Sequence, residues 1–188
     1  LNERGLNQRV IVYLAGGAYI QPADKTHWQY LNYLAQATEA RVYIPIYSLA
    51  PQHNFREAYQ EIAQLYGELY QQVPVSDITL MGDSAGAGLA LGFSEYLGQR
   101  GLPQPGHLIL ISPWLDLDLT NPVIEHYEQD DVTLSRYGLR RIADLWAGDT
   151  SHQDYRLSPL NGNLDQLRDV YVYAGTKEIM YPDAAILV

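Results

Sequence analysis

Cysteine is absent from the 188-residue chain, which rules out both a disulfide framework and a thiolate metal site. That fits a reducing compartment, and a cytoplasmic location is the expectation. Positive charge is scarce: 12 Lys and Arg stand against 22 Asp and Glu, a formal net charge of −10. Such a surface repels nucleic-acid phosphates and anionic membranes, leaving small neutral molecules as the expected partners. No apolar run reaches the roughly 18 residues a membrane span needs, and the start shows no basic-then-apolar leader. The first residue is Leu1 rather than Met, so the sequence need not begin at a natural N-terminus. Internal repeats, low-complexity tracts and linkers are also missing, and residues 1–188 are expected to form one domain.

Apart from these absences, short β-rich apolar runs alternate with longer segments of helical period. The runs are residues 9–14, 41–46, 77–81, 107–111 and 169–174. Between them, residues 26–40, 55–72 and 84–100 space their apolar side chains three and four apart, with Gly101 ending the third helix. That order predicts parallel strands joined by crossover helices. Residues 116–157 break the rhythm with some forty residues between strands and one helical pattern at 135–146, which reads as an insertion capping one sheet end. The 16 tyrosines recur in helices and strands alike and read as half-buried packing with wet hydroxyls.

One motif carries chemistry. Gly82-Asp83-Ser84-Ala85-Gly86 lies between an apolar strand and a small-residue helix start, the strand-turn-helix setting in which a serine is held exposed on a strained turn. Small residues two before and two after Ser84 let strand and helix approach, and the helix N-terminus presents the Ala85 N–H to a developing oxyanion. The plain alternative is that Ser84 merely caps a helix. A second glycine turn, Ala15-Gly16-Gly17-Ala18-Tyr19, follows the first strand, where an acyl-transfer enzyme would place further oxyanion donors. Alone it would read as an ordinary turn.

With Tyr47-Ser48-Leu49-Ala50-Pro51-Gln52-His53, Ile111-Ser112-Pro113-Trp114-Leu115-Asp116 and Gly175-Thr176-Lys177-Glu178, these motifs resemble the hormone-sensitive-lipase-like family of α/β-hydrolase esterases, in order and over nearly the whole chain. The resemblance implies a three-layer α/β/α fold, a mostly parallel sheet with an insertion cap. It also implies that a cap segment and two strands ahead of residue 9, and the last strand, lie outside the sequence given. In that family the first loop reads His-Gly-Gly-Gly and its last two glycine N–H groups serve the oxyanion hole; carried over, these are Gly17 and Ala18. Ala15 replaces the histidine, removing a side chain that would brace the turn, and Ala18 can replace a glycine if its φ is negative. Where the family reads Asp-Tyr-Arg-Leu-Ala-Pro-Glu-His, Ile46 and Ser48 stand in place of the charged pair, so this loop must be tied otherwise.

A serine nucleophile needs a base, and the base needs an acid, in chain order serine, acid, histidine. The resemblance puts Glu178 at the acid position, with Asp183 as the alternative; Pro182 suits the first turn of a helix, whose dipole Asp183 would serve. The base is expected beyond Val188. His27, His53, His107, His126 and His152 each sit at a helix start, in a loop, at a strand start or in the insertion, and read as surface or packing residues. Tyr19 and Trp114 are candidates for the substrate pocket, with a packed aromatic under the insertion as the alternative for Trp114. The pairs Asp116/Asp118 and Asp130/Asp131 read as loop residues or helix caps, and no metal or cofactor is expected. The expected function is hydrolysis of small, short-acyl esters through an acyl-enzyme at Ser84, with homo-oligomerisation left open. The alternatives are a receptor-like relative that binds without turnover, or a peptidase or amidase of the same fold.

Overall fold

The computed structural model describes Leu1 and residues 9–188. Among the described residues, five parallel strands form one sheet: β1 (Val10–Leu14), β2 (Arg41–Tyr43), β3 (Ile78–Asp83), β4 (His107–Ile111) and β5 (Val170–Tyr173), in the order β2-β1-β3-β4-β5. The helices are α1 (Lys25–Thr38), α2 (Phe55–Leu69), α3 (Ser84–Gln99), α4 (Ile124–Glu128), α5 (Arg136–Ala147) and α6 (Tyr181–Leu187).

The period-2 alternation of the strands divides the core in two. Val10, Val12, Leu14, Ile78, Leu80, Leu108 and Leu110 point to one face, where α2, α3 and the 116–157 segment cover them. Ile11, Tyr13, Val42 and Met81 point to the other, against Leu31 and Ala35 of α1. These are the three α/β/α layers that the resemblance implies. Toward β5 the α1 face thins out, and Tyr171 and Tyr173 are half-exposed there.

The differences from the expected boundaries have local causes. The second strand stops at Tyr43 rather than residue 46, because Pro45 has no N–H to give the ladder and β2 is an edge strand. The third runs on to Asp83, since β4 pairs with it through that residue and β1 through Gly82. The first helix ends at Thr38, with Glu39 left-handed at φ +56. Beyond the third, Gly101 at φ +63 closes a Schellman-type turn in which the Leu102 N–H donates to the Leu97 carbonyl. Residues 116–157 hold a second short helix, α4, which the single helical pattern missed.

Helix α3 is buried on nearly every side, and so is Glu95 within it, at 2% exposure with neither carboxylate oxygen hydrogen-bonded among the described residues. Burial pushes its carboxyl up to about 9.

The topology fixes where a ligand can sit. From β1 the chain moves outward to β2 by way of α1; from β3 it moves the opposite way to β4 by way of α3. The carboxyl ends of β1 and β3 are therefore the switch point, where open parallel sheets form their crevice.

Candidate active site

Ser84 stands at that switch point, half-buried, as the first residue of α3. Its φ of +51 is a strained conformation for a residue with a Cβ, and it turns the chain from the central strand straight into the helix. What permits the turn is the absence of side chains around it. A Cβ on Gly82 would come within 2.6 Å of the Gly86 backbone, and one on Gly86 would collide with the carbonyl oxygen of Leu14 in β1. The Ser84 carbonyl accepts from the Trp114 N–H at 3.1 Å, locking the elbow to the segment after β4. Asp83 is the N-cap of α3, yet its side chain makes no cap bond, so the first-turn N–H groups, Ala85 included, receive no side-chain acceptor from it.

Register places the glycine turn beside the serine. Leu14 pairs with Gly82, so Ala15 and Gly16 lie level with Asp83 and Ser84. Gly17, Ala18 and Tyr19 all have positive φ, at +128, +51 and +62. The negative φ expected of Ala18 is therefore not found. A left-handed alanine costs about 1 kcal/mol and persists where its surroundings over-determine it. Those surroundings are visible: the Gly17 carbonyl accepts from Ile20 and Gln21 N–H, at 3.1 and 2.9 Å, and the Tyr19 carbonyl accepts from Ala50 N–H at 2.9 Å. Among the described residues, neither Gly17 nor Ala18 donates its N–H to a protein acceptor.

The braces that replace the missing histidine come from elsewhere. The Tyr47 hydroxyl donates to the Ala15 carbonyl at 2.5 Å, and the Gly16 N–H donates to Asp83 Oδ1 at 2.8 Å. The loop carrying Ser48 is tied by Glu61, which accepts from the Ser48 N–H at 2.7 Å and its hydroxyl at 2.6 Å.

Tyr19 and Trp114 do not face open space. They are 2% and 1% exposed; Tyr19 stacks on Trp114 at 5.5 Å and on Trp146 at 4.3 Å, and Trp114 Nε1 donates to the Asp116 carbonyl. A face of Tyr19 between two indoles buries more apolar area than a pocket wall would, so both residues carry the turn instead of lining a cavity. This is the packed-aromatic alternative.

On the other side of Ser84, β4 and then β5 follow, putting the Gly175–Glu178 turn two strands away, about 10 Å at normal strand spacing. Glu178 is half-buried and its Oε1 accepts from the Gly175 N–H at 2.8 Å. Asp183 lies in the first turn of α6 but is sealed at 2% exposure. Its Oδ1 accepts from Asn121 Nδ2 at 3.0 Å, and Oδ2 is buried without a protein partner. Burial raises its carboxyl above the ordinary aspartate range, against the Asn121 bond, so it is poorly suited to hold an imidazolium.

The histidines fall as follows. His107 opens β4 at the far end of the sheet, His53 and His126 are exposed, and His152 Nδ1 contacts Asp118 at 2.7 Å. His27 is different: at the third position of α1 it closes a capping box with Asp24, and its Nε2 lies 3.4 Å from the Asp83 carboxylate. Sequence reading missed this contact, although alternation along β3 turns Asp83 to the face that α1 covers. Asp116 and Asp131 are turn formers: Asp116 accepts from Thr120, and Asp131 from Thr133, Leu134 and Ile179. Among the described residues no group of three or more His, Asp or Glu side chains is placed to hold a metal ion, and no helix is long and apolar enough to cross a membrane.

Comparison with known proteins matches residues 11–188 to a family described by the alpha/beta hydrolase fold. An esterase of Acinetobacter venetianus is 36% identical over 178 residues, covering 94% of this chain and 59% of that protein. A triacylglycerol lipase of Mycobacterium tuberculosis is 32% identical over 178 residues, 94% of this chain and 36% of the lipase. The crystal structure of an esterase from the bacterial hormone-sensitive lipase family superposes with a TM-score of 0.90 at 31% identity, covering 96% of this chain and 61% of that one. The chain thus spans roughly three-fifths or less of the relatives it matches.

Proposed function

The chain belongs to the alpha/beta hydrolase fold family and is hormone-sensitive-lipase-like within it, and from that premise we propose that it carries the nucleophile, oxyanion donors and acid of a serine carboxylesterase. The observation that carries the proposal is Ser84 at φ +51 on the end of the central strand, with Gly82 and Gly86 packed too tightly for any side chain. Ser84 Oγ attacks the ester carbonyl carbon. The N–H groups of Gly17, Ala18 and Ala85 receive the developing oxyanion, the alcohol leaves, and water releases the acid from the acyl-enzyme. The base is a histidine outside residues 1–188, held between Ser84 and Glu178, where the two-strand separation leaves room for an imidazole. Small, short-acyl esters are the proposed substrates.

The full-length protein is to be treated with a fluorophosphonate probe and then with a short p-nitrophenyl ester. Labelling that maps to Ser84, lost in Ser84→Ala, and a burst equal to the enzyme present are expected. A folded protein that does not label would instead favour a binding module, the reading to which the strained Ala18 in a donor position lends some weight.

A further inference from the structure

An aspartate at a helix N-cap ordinarily turns its carboxylate back onto the N–H groups of the helix it opens. Asp83 does not. Its Oδ1 accepts at 2.8 Å from the Gly16 N–H and at 2.8 Å from the Tyr13 hydroxyl, both on the neighbouring β1 strand and its loop. Gly16 is required there, because a Cβ at that position would collide with the same carboxylate and come within 2.8 Å of the Asp83 carbonyl oxygen. From the opposite side, His27 of α1 brings Nε2 to 3.4 Å of the carboxylate, while its Nδ1 faces Asp24 Oδ1 at 2.7 Å. The groups facing this cluster from the packed elements are Tyr13 of β1, Asp24 and Tyr30 with α1, and Ile111 at the end of β4.

We propose that Asp83 is a positioning residue that fixes the glycine turn to the nucleophile's own backbone, with His27 as its anchor on α1. The reason is geometric. The proposed donors Gly17 and Ala18 follow Gly16 directly, and Ser84 follows Asp83 directly, so a single bond between Gly16 and Asp83 sets the separation of donors and nucleophile. A displacement of the order of 1 Å at such a site costs roughly 10²-fold in rate. The clamp also accounts for a glycine turn that holds three consecutive positive φ values without the histidine that the family places at Ala15.

The catalytic part of this proposal rests on the esterase reading, so the test has two arms, both on the full-length protein. In the first, amide hydrogen exchange is followed at residues 15–19. Asp83→Ala is expected to speed exchange at Gly16 by at least roughly tenfold, whereas Asp83→Asn, which keeps an acceptor, restores much of the protection. In the second, ester turnover is measured: Asp83→Ala is expected to lower kcat by roughly 10- to 100-fold with KM within about threefold, and Asp83→Asn to recover most of it. His27→Ala should move both readouts the same way by less, and His27→Gln, which can still offer an N–H to Asp83, should recover them. Asp24→Ala, which removes the α1 cap and the partner of His27 Nδ1 but leaves the Gly16–Asp83 bond, should move both readouts no more than His27→Ala does. Unchanged exchange at Gly16 in a folded Asp83→Ala overturns the clamp. A loss expressed in KM alone, or no recovery by Asp83→Asn, overturns the positioning role. If the wild type fails to turn over ester, the esterase reading falls, and the exchange arm still decides whether the clamp exists.

Discussion

The two sides of Ser84 are built differently. Toward β1, the turn from Ala15 to Tyr19 is tied by bonds that cross long stretches of chain: Gly16 to Asp83, Ala15 to Tyr47, Tyr19 to Ala50. Toward β5, the Gly175–Glu178 turn is bonded to itself, and nearby long ties are the Ile179 N–H donating to Asp131 at 3.0 Å and Asn121 Nδ2 donating to Asp183 Oδ1 at 3.0 Å. The side proposed to carry the oxyanion donors is thus held by the sheet and its neighbours, as electrostatic stabilisation of an oxyanion would demand. The acid side takes its position from the 116–157 segment. Under the proposed roles, a glutamate that follows an imidazole would tolerate this, whereas backbone donors that meet a fixed oxygen would not.

Substitutions on the two sides should separate them, and the largest effect belongs to the β1 side. Gly86→Ala drives a Cβ into the Leu14 carbonyl and is expected to cost more than about 4 kcal/mol, read as a collapse of the thermal midpoint or loss of folded protein. Next comes Asp131→Ala, which strips Ile179, Thr133 and Leu134 of their acceptor and should cost about 1–2 kcal/mol. Its amide exchange should rise at Ile179 and not at Gly16; exchange rising equally at both would erase the distinction.

The same aspartate has a pH signature. Burial alone would raise its carboxyl, but the N–H groups of Ile179, Thr133 and Leu134 outweigh burial and hold it below the ordinary value. Its contribution to stability is therefore present above about pH 4 and is lost as pH falls through the depressed folded-state value. Protection at Ile179 should fade on that acid limb and be flat above it. Tyr47→Phe, leaving the buried Ala15 carbonyl without its donor, should cost about 1 kcal/mol by chemical denaturation. Smallest in stability is Glu178→Gln, within about 0.5 kcal/mol, while ester turnover of the full-length protein falls by on the order of 10³ if Glu178 orients the base. Unchanged turnover would remove it from the site.

Much of this was legible in the sequence, for identifiable reasons. Alternating strands and crossover helices gave the layers because apolar period survives wherever one face is buried, and Gly82 and Gly86 around Ser84 announced the elbow because a Cβ at either glycine would collide with backbone. The fate of Tyr19 and Trp114 was not legible: an aromatic at a strand end looks the same whether it lines a cleft or stacks beneath a segment that folds over it, and Trp146 lies far along the chain. Nor was the sign of φ at Ala18, which is imposed by Ala50 and the aromatic stack. The part Asp83 plays was not legible either, since its partners are residues 13, 16 and 27, which the register of β1 against β3 and the packing of α1 bring together.

Glu95, deep in α3, makes the folding reaction a proton reaction. In the unfolded chain its carboxyl is ionised above the ordinary glutamate value near 4.5; in the folded one it stays neutral up to about 9. Near neutral pH the chain must therefore take up a proton from solvent at this site as it folds and release it on unfolding, and alkali pulls the equilibrium toward the unfolded side across that interval. The heat absorbed at the thermal transition should then depend on the ionisation enthalpy of the buffer, in proportion to the proton exchanged, and that dependence should shrink in Glu95→Gln.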